Sequence, residues 1–112
     1  MNLAFGSDTP VETLDPIAGI HAAATRQRPG ATPAGGWYPG ERISTADAIA
    51  AYTTGPAVAT REHHRLGRIA PGYLADAVIL TRNVLESPPE SLLDTRVLAT
   101  IAAGRLAYHA DP

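Results

Sequence analysis

The N-terminal part of the chain has the apolar pattern of one strand followed by one helix. Residues 2–6 form a short apolar run, which is typical of a buried strand. Asp15 followed by Pro16 is a typical helix start, since Asp caps free backbone N–H groups and Pro lacks the N–H that a first turn leaves unpaired. Apolar positions then recur at helical spacing to about Gln27, at Ile17, Ile20 and Ala24.

The middle of the chain predicts a long loop and then helices. Residues 29–40 contain three prolines and four glycines around an aromatic pair, which indicates a loop. Ser44 or Thr45 is expected to cap the next helix, and Gly55 with Pro56 is expected to end it before a further helical turn. The predicted apolar face of this helix consists of Ala46, Ile49, Ala50 and Thr53.

The C-terminal part has strand patterns separated by turns. Residues 76–81 are rich in β-branched positions, and residues 97–101 and 106–108 predict a hairpin across Ala103-Gly104. Residues 92–93 lie in a short helical or turn segment after a run of prolines. These closing strands indicate an antiparallel sheet, whereas the first strand and helix suit a parallel barrel.

Composition and charge narrow the classes of function. The net charge of −2 and the pI near 6.0, with scattered arginines as the basic residues, argue against a nucleic-acid partner. No apolar run approaches the roughly 20 residues that span a bilayer, so no membrane association is expected. The absence of cysteine excludes disulfides and thiolate metal sites and favours a cytoplasmic protein.

Four motifs resemble, in the same order, segments of the metal-dependent amidohydrolase superfamily, in the branch called amidohydrolase family 3. Residues 5–11 (Phe-Gly-Ser-Asp-Thr-Pro-Val) resemble its strand-8 signature. Residues 45–53 are similar to its penultimate helical segment, and residues 66–80 resemble the stretch that re-enters the small β-sandwich. Residues 100–108 resemble its closing hairpin.

The resemblance implies an α/β fold in which this chain is the C-terminal fragment of a distorted (β/α)8 barrel. Residues 1–65 would be the last βα unit with the C-terminal helices, and residues 66–112 would be strands of the composite β-sandwich. The chain is then expected to be the tail of a larger enzyme. Because several strands would lack their partners, the isolated chain is expected to form a homo-oligomer or to fold poorly.

The resemblance also implies a site, of which only the strand-8 carboxylate maps onto this chain, at Asp8. Asp8 is expected to bind a divalent metal, with Zn²⁺ as the candidate, and to accept a proton from the metal-bound water. The implied reaction is hydrolysis of a C–N bond in a small amide, cyclic amide or formamide. The chain alone is expected to be inactive, since one carboxylate cannot replace three or four ligands.

Other interpretations stay open at this point. Asp8 could be only a turn or capping residue, and the whole chain could be a non-catalytic truncated or structural module. The adjacent His63 and His64 diverge by about 100° on a helix, so they are expected to be surface residues rather than metal ligands. Trp37 and Tyr38 could line a substrate pocket or anchor their glycine-rich loop. Asp76 is expected to be structural, and His21 packed or at the surface.

Overall fold

The computed structural model describes residues 2–111 and contains helices followed by an antiparallel sheet. Among these residues the sheet has three strands in the order β1-β2-β3, so the fold is α/β with the strands in the C-terminal part. The elements are α1 (Pro16–Thr25), a 3-10 helix (Pro39–Glu41), α2 (Thr45–Tyr52), α3 (Thr54–Ala59), β1 (Ala77–Leu80), a second 3-10 helix (Pro89–Asp94), β2 (Val97–Ala102) and β3 (Arg105–His109).

Helix α1 begins where the capping pattern predicts. The Asp15 side chain accepts a hydrogen bond from the Ile17 N–H at 2.9 Å, and proline occupies the first helical position. The helix ends at Thr25, two residues before the expected Gln27, because Arg26 adopts a left-handed conformation with φ of 58°. The predicted apolar stripe is confirmed, and its buried members are Ile17, Ile20 and Ala24.

The apolar face predicted for α2 is confirmed only at Ile49, which packs against the core, although the predicted start of the helix is confirmed. Ser44 caps the helix and accepts a hydrogen bond from the Asp47 N–H at 3.0 Å. The buried positions are Ala48 and Ala51, whereas the expected Ala46, Ala50 and Thr53 are exposed. Helix α2 contacts α1, and small side chains three residues apart let the two helices approach closely.

Gly55 and Pro56 do not terminate α2 as the sequence suggested. That helix ends at Tyr52, and both residues lie in the first turn of α3. Pro56 fits there because the first N–H groups of a helix have no partner within it. The two short helices therefore meet in a corner at Thr53, where φ is −120° and ψ is −80°.

Residues 2–6, hereafter the N-terminal segment, form no strand, contrary to the prediction from the sequence. A strand needs a neighbour to pair its backbone groups, and none lies beside this segment among residues 2–111. Its backbone bonds to a helix instead, with the Phe5 N–H donating to the Ala51 carbonyl at 2.8 Å. The Phe5 ring also meets the Tyr52 ring edge to face, at 5.5 Å between centroids. The βα unit expected from the sequence is thus not formed.

Gly55 lets the N-terminal segment approach the helical corner. A Cβ atom at position 55 would lie 1.9 Å from the Leu3 carbonyl oxygen, far closer than real Cβ contacts. Position 55 therefore requires glycine because any side chain would clash with the Leu3 carbonyl, and not because the backbone has a left-handed φ. The segment and the corner pack backbone to backbone.

One hydrophobic cluster joins the helices to the C-terminal half. Its buried members are Ile17 and Ile20 of α1, Ala48 of α2, and Val84 and Leu92 from the segment before β2. The 3-10 helix Pro89–Asp94 contacts α1 and carries Leu92 into the cluster. Burial of these aliphatic groups is the main stabilising contribution that the structure offers.

The sheet forms as the strand patterns predict. Thr100 of β2 lies opposite Val78 of β1 and Tyr108 of β3, and both strand pairs are antiparallel. The β2–β3 turn has positive φ at Ala103 (49°) and Gly104 (76°), as a tight hairpin turn requires. Asp76 has the structural role expected of it, since its carboxylate accepts a hydrogen bond from the Ala103 N–H at 2.7 Å.

Candidate functional site

Asp8 lies in an exposed turn between the N-terminal segment and α1. Its carbonyl accepts a hydrogen bond from the Val11 N–H at 2.9 Å, which closes the turn through the backbone. Asp8 itself has a φ of 52°, a left-handed conformation that Asp tolerates better than most residues. Ser7 Oγ and Thr9 Oγ1 are 3.0 Å apart on either side of it.

The Asp8 carboxylate takes no part in holding this turn. Within residues 2–111 it accepts no hydrogen bond and forms no ion pair, and the residue is exposed. The helix-capping alternative does not apply, because Asp15 caps α1. Thr9 Oγ1 supports the turn by donating to the Glu12 carbonyl at 3.2 Å. Among the described residues, the oxygens of the Asp8 carboxylate therefore have no partner, and the turn leaves them accessible to a ligand.

A complete metal site is absent from the described part of the chain. No group of three or more His, Cys, Asp or Glu side chains converges there in a way that could hold an ion. A zinc site needs three or four protein ligands. Asp8 fits the role of one oxygen ligand, and the donor set of residues 2–111 does not fit a whole site.

The histidines do not supply the missing ligands. His63 and His64 are exposed, as expected, and their rings lie 6.4 Å apart between centroids at 81° to each other. His21 is packed inside the fold on α1, with 4% of its surface exposed. The predicted exposure of His63 and His64 is confirmed, and His21 takes the packed position of the two that the sequence left open.

Burial lowers the pKa of His21, and the negative charge of Glu90 opposes this effect. The unfolded chain then binds more protons than the folded chain near the ordinary histidine pKa, so protonation favours unfolding. We expect the free energy of unfolding to fall as the pH drops below about 6.5. Urea titrations across this range would measure the slope.

The matched variants are His21→Gln and His64→Gln. His21→Gln should flatten the pH dependence, whereas His64→Gln, at an exposed position, should leave it unchanged. An unaltered slope in the His21 variant would show that other groups cause it.

The loop after α1 is held by polar side chains at its two ends. Arg26 Nε donates to the Trp37 carbonyl at 3.1 Å, and Gln27 Nε2 donates to the Ala31 and Pro33 carbonyls, each at 3.1 Å. Arg42 bonds to the Thr25 carbonyl at 3.2 Å and also to the Gly35 carbonyl. These clamps could not be predicted from the sequence, because charge and spacing alone do not show which carbonyl a long side chain will reach.

Trp37 does not anchor this loop through its ring. Its side chain is 62% exposed, and the adjacent Tyr38 is 64% exposed. The two rings meet edge to face at 4.8 Å between centroids. The sequence left two roles open for the aromatic pair, lining a pocket or anchoring the loop. The loop is anchored by Arg26, Gln27 and Arg42 instead.

Comparison with known proteins places the chain in a family. The family model described as "Amidohydrolase family" matches residues 1–108. "Protein LONG AFTER FAR-RED 3" of Arabidopsis thaliana is 41% identical over 106 residues, covering 95% of this chain and 18% of that protein. "Putative amidohydrolase YtcJ" of Bacillus subtilis (strain 168) is 30% identical over 105 residues, covering 94% of this chain and 20% of that protein.

The match covers nearly all of this chain, but the chain spans about a fifth of the length of these relatives. No solved structure matches it significantly. Within residues 2–111, no helix is long and apolar enough to cross a membrane. The resemblance of the four sequence motifs is confirmed, and the chain belongs to the amidohydrolase family.

Proposed function

We propose that this chain is the C-terminal part of a metal-dependent hydrolase acting on the C–N bond of an amide, cyclic amide or formamide. The observation that carries the proposal is the Asp8 carboxylate. It is exposed and unpaired among the described residues, and it lies at the motif position in a turn that is closed by the Asp8 backbone carbonyl and by Thr9 rather than by the carboxylate. The family match supports the reaction class.

The role proposed for Asp8 is that of a proton acceptor. Its carboxylate oxygens would take the proton of the attacking water and deliver it to the leaving nitrogen. A bound divalent cation, with Zn²⁺ as the candidate, would supply a Lewis acid that makes that water more acidic. The other ligands would come from residues outside this chain, because residues 2–111 hold no ligand cluster.

We further propose that residues 1–65 belong to the end of the barrel and residues 66–112 to the sandwich. The helices α1 to α3 lie in the first range and the three strands in the second. The terminal positions 1 and 112 lie outside the described residues. The shared cluster of Ile17, Val84 and Leu92 would then be the contact between the two units.

The proposed function is tested by comparing the isolated chain with a longer protein that contains it and carries the remaining metal ligands. The first step is to read the DNA upstream of Met1 for a frame that encodes His-x-His and two further histidines. The longer protein should hydrolyse one of an N-acetylamino acid, a hydantoin or an N-formylamino acid. A chelator should abolish turnover and Zn²⁺ should restore it, whereas the isolated chain should be inactive.

Two outcomes would contradict the proposal. Turnover by the isolated chain that a chelator abolishes would show that these residues form a complete site. A longer protein with the full ligand set that cleaves none of these substrates would favour the alternative, a structural or interaction module.

We also propose that the isolated chain forms homo-oligomers. The outer edges of β1 and β3 have no strand partner within residues 2–111, and β3 is exposed along its length. Exposed apolar side chains on these strands include Ile79 and Leu106. Open edges of this kind template association. Light scattering over a concentration series should show a mass above the monomer; a cooperatively unfolding monomer at high concentration would refute this.

A further inference from the structure

A groove of about 620 Å³ lies between the C-terminal end of α1 and the loop that follows it. This volume is in the range of small-molecule sites, which is roughly 300–1,000 Å³. We call it the Trp37 groove, and its lining includes Ala22, Arg26, Arg28, Pro33 and Trp37. Nothing in the structure connects it with Asp8, so it is independent of the function proposed above.

The walls of the Trp37 groove are already in place without a ligand. The clamps from Arg26 and Gln27 fix the carbonyls of Trp37 and Pro33. The Arg28 N–H bonds to the Thr32 carbonyl at 2.7 Å, in an isolated antiparallel bridge across the loop. A wall held in this way loses little entropy on binding, which favours affinity.

The groove combines an apolar surface with positive charge. Ala22, Pro33 and the Trp37 ring provide the apolar part. Arg26 lies over the Trp37 ring at 5.4 Å from its centroid, and Arg28 is exposed at the rim. The Arg28 guanidinium makes no hydrogen bond or ion pair with the described residues, and none of the described lining residues is acidic.

We propose that the Trp37 groove binds a small planar aromatic carboxylate. Its ring packs against Ala22, Pro33 and Trp37, and its carboxylate pairs with Arg28. Arginine suits this role because its planar fork of N–H donors matches a carboxylate, and aromatic faces gain dispersion and offset stacking. An aliphatic acid lacks the ring and a neutral aromatic amide lacks the charge, so the two features together define the ligand class.

The test uses the isolated chain, because Trp37 is its only tryptophan and reports on the groove directly. Benzoate is titrated while Trp37 fluorescence is recorded, with N-acetyltryptophanamide as the control for collisional quenching and absorbance. We expect a saturable change in fluorescence with the protein and no saturable change with N-acetyltryptophanamide. Benzamide and acetate should each bind at least about fivefold more weakly than benzoate, since each lacks one of the two contacts.

The matched variants are Arg28→Gln and Arg68→Gln, both at exposed positions. Arg28→Gln should weaken benzoate binding about fivefold, and Arg68→Gln should leave it unchanged. Raising the salt concentration to about 0.5 M should also weaken the binding of benzoate to the native chain, because salt screens the pair between Arg28 and the carboxylate. Unchanged urea unfolding midpoints would confirm that both variants fold.

Several results would overturn the proposal. They are the absence of saturation, equal binding of benzoate and benzamide, equal binding of benzoate and acetate, and an unchanged affinity in Arg28→Gln. Equal binding of benzoate and acetate would reduce the groove to a general anion site. Equal binding of benzoate and benzamide would make it an apolar cleft without charge selectivity.

Discussion

Replacing Asp8 with Asn in the longer enzyme proposed above is expected to lower kcat by about 10²- to 10⁴-fold, the usual cost of losing a general base, which is the role proposed for Asp8. The amide has nearly the same shape as the carboxylate, but it cannot accept the proton. The fold should be unaffected, because the turn is closed by the Asp8 backbone carbonyl and not by its side chain. Steady-state kinetics on the cleaved substrate would measure the loss.

Asp15→Asn is the matched control for this experiment. It makes the same chemical change seven positions along the chain, at the cap of α1, where Asn and Asp perform about equally well. Both variants should unfold at the same urea concentration as the parent. A near-normal kcat for Asp8→Asn would show that Asp8 is only a turn residue. A large loss in Asp15→Asn would show that any change near this turn disturbs the site.

Leu92→Ala is expected to lower the free energy of unfolding by about 2–5 kcal/mol. Leu92 is 0% exposed and contributes to the cluster that joins α1 and α2 to the C-terminal half. Truncation removes buried apolar surface and leaves a cavity that rigid neighbours refill only in part. The total free energy of unfolding of a domain of ordinary size is about 5–15 kcal/mol, so this loss is a large fraction of the stability.

Leu93→Ala makes the identical substitution at the next residue, which is 37% exposed. Its cost should be smaller, about 1 kcal/mol, because more than a third of its surface is already in water and its truncation leaves no enclosed cavity. Urea denaturation of both variants gives the comparison. Equal losses would show that the 3-10 helix Pro89–Asp94 does not bury Leu92 in solution.

Local signals in the sequence predicted the elements well. Asp15-Pro16 placed the start of α1 correctly, since capping depends only on neighbouring residues. Ser44 placed the start of α2 in the same way. The β-branched run and the Ala103-Gly104 turn placed the three strands within one or two residues.

Features that depend on distant neighbours were predicted less well. The apolar residues 2–6 carry a strand pattern, but pairing requires another strand, and their backbone bonds to Ala51 instead. The buried face of α2 depends on where α1 lies, which periodicity over eight residues cannot determine. The site role of Asp8 was inferred from its motif and stays a prediction. The clamps from Arg26 and Arg42 reach carbonyls as many as 17 positions away.

The contact between Gly55 and Leu3 couples the position of Asp8 to the angle between two helices. The N-terminal segment rests on the corner of α2 and α3 and is bonded to it at Phe5. Asp8 follows only three residues after Phe5, so we expect a change in the angle between α2 and α3 to shift the Asp8 carboxylate. A substitution inside this corner is therefore expected to displace the Asp8 carboxylate without contacting it.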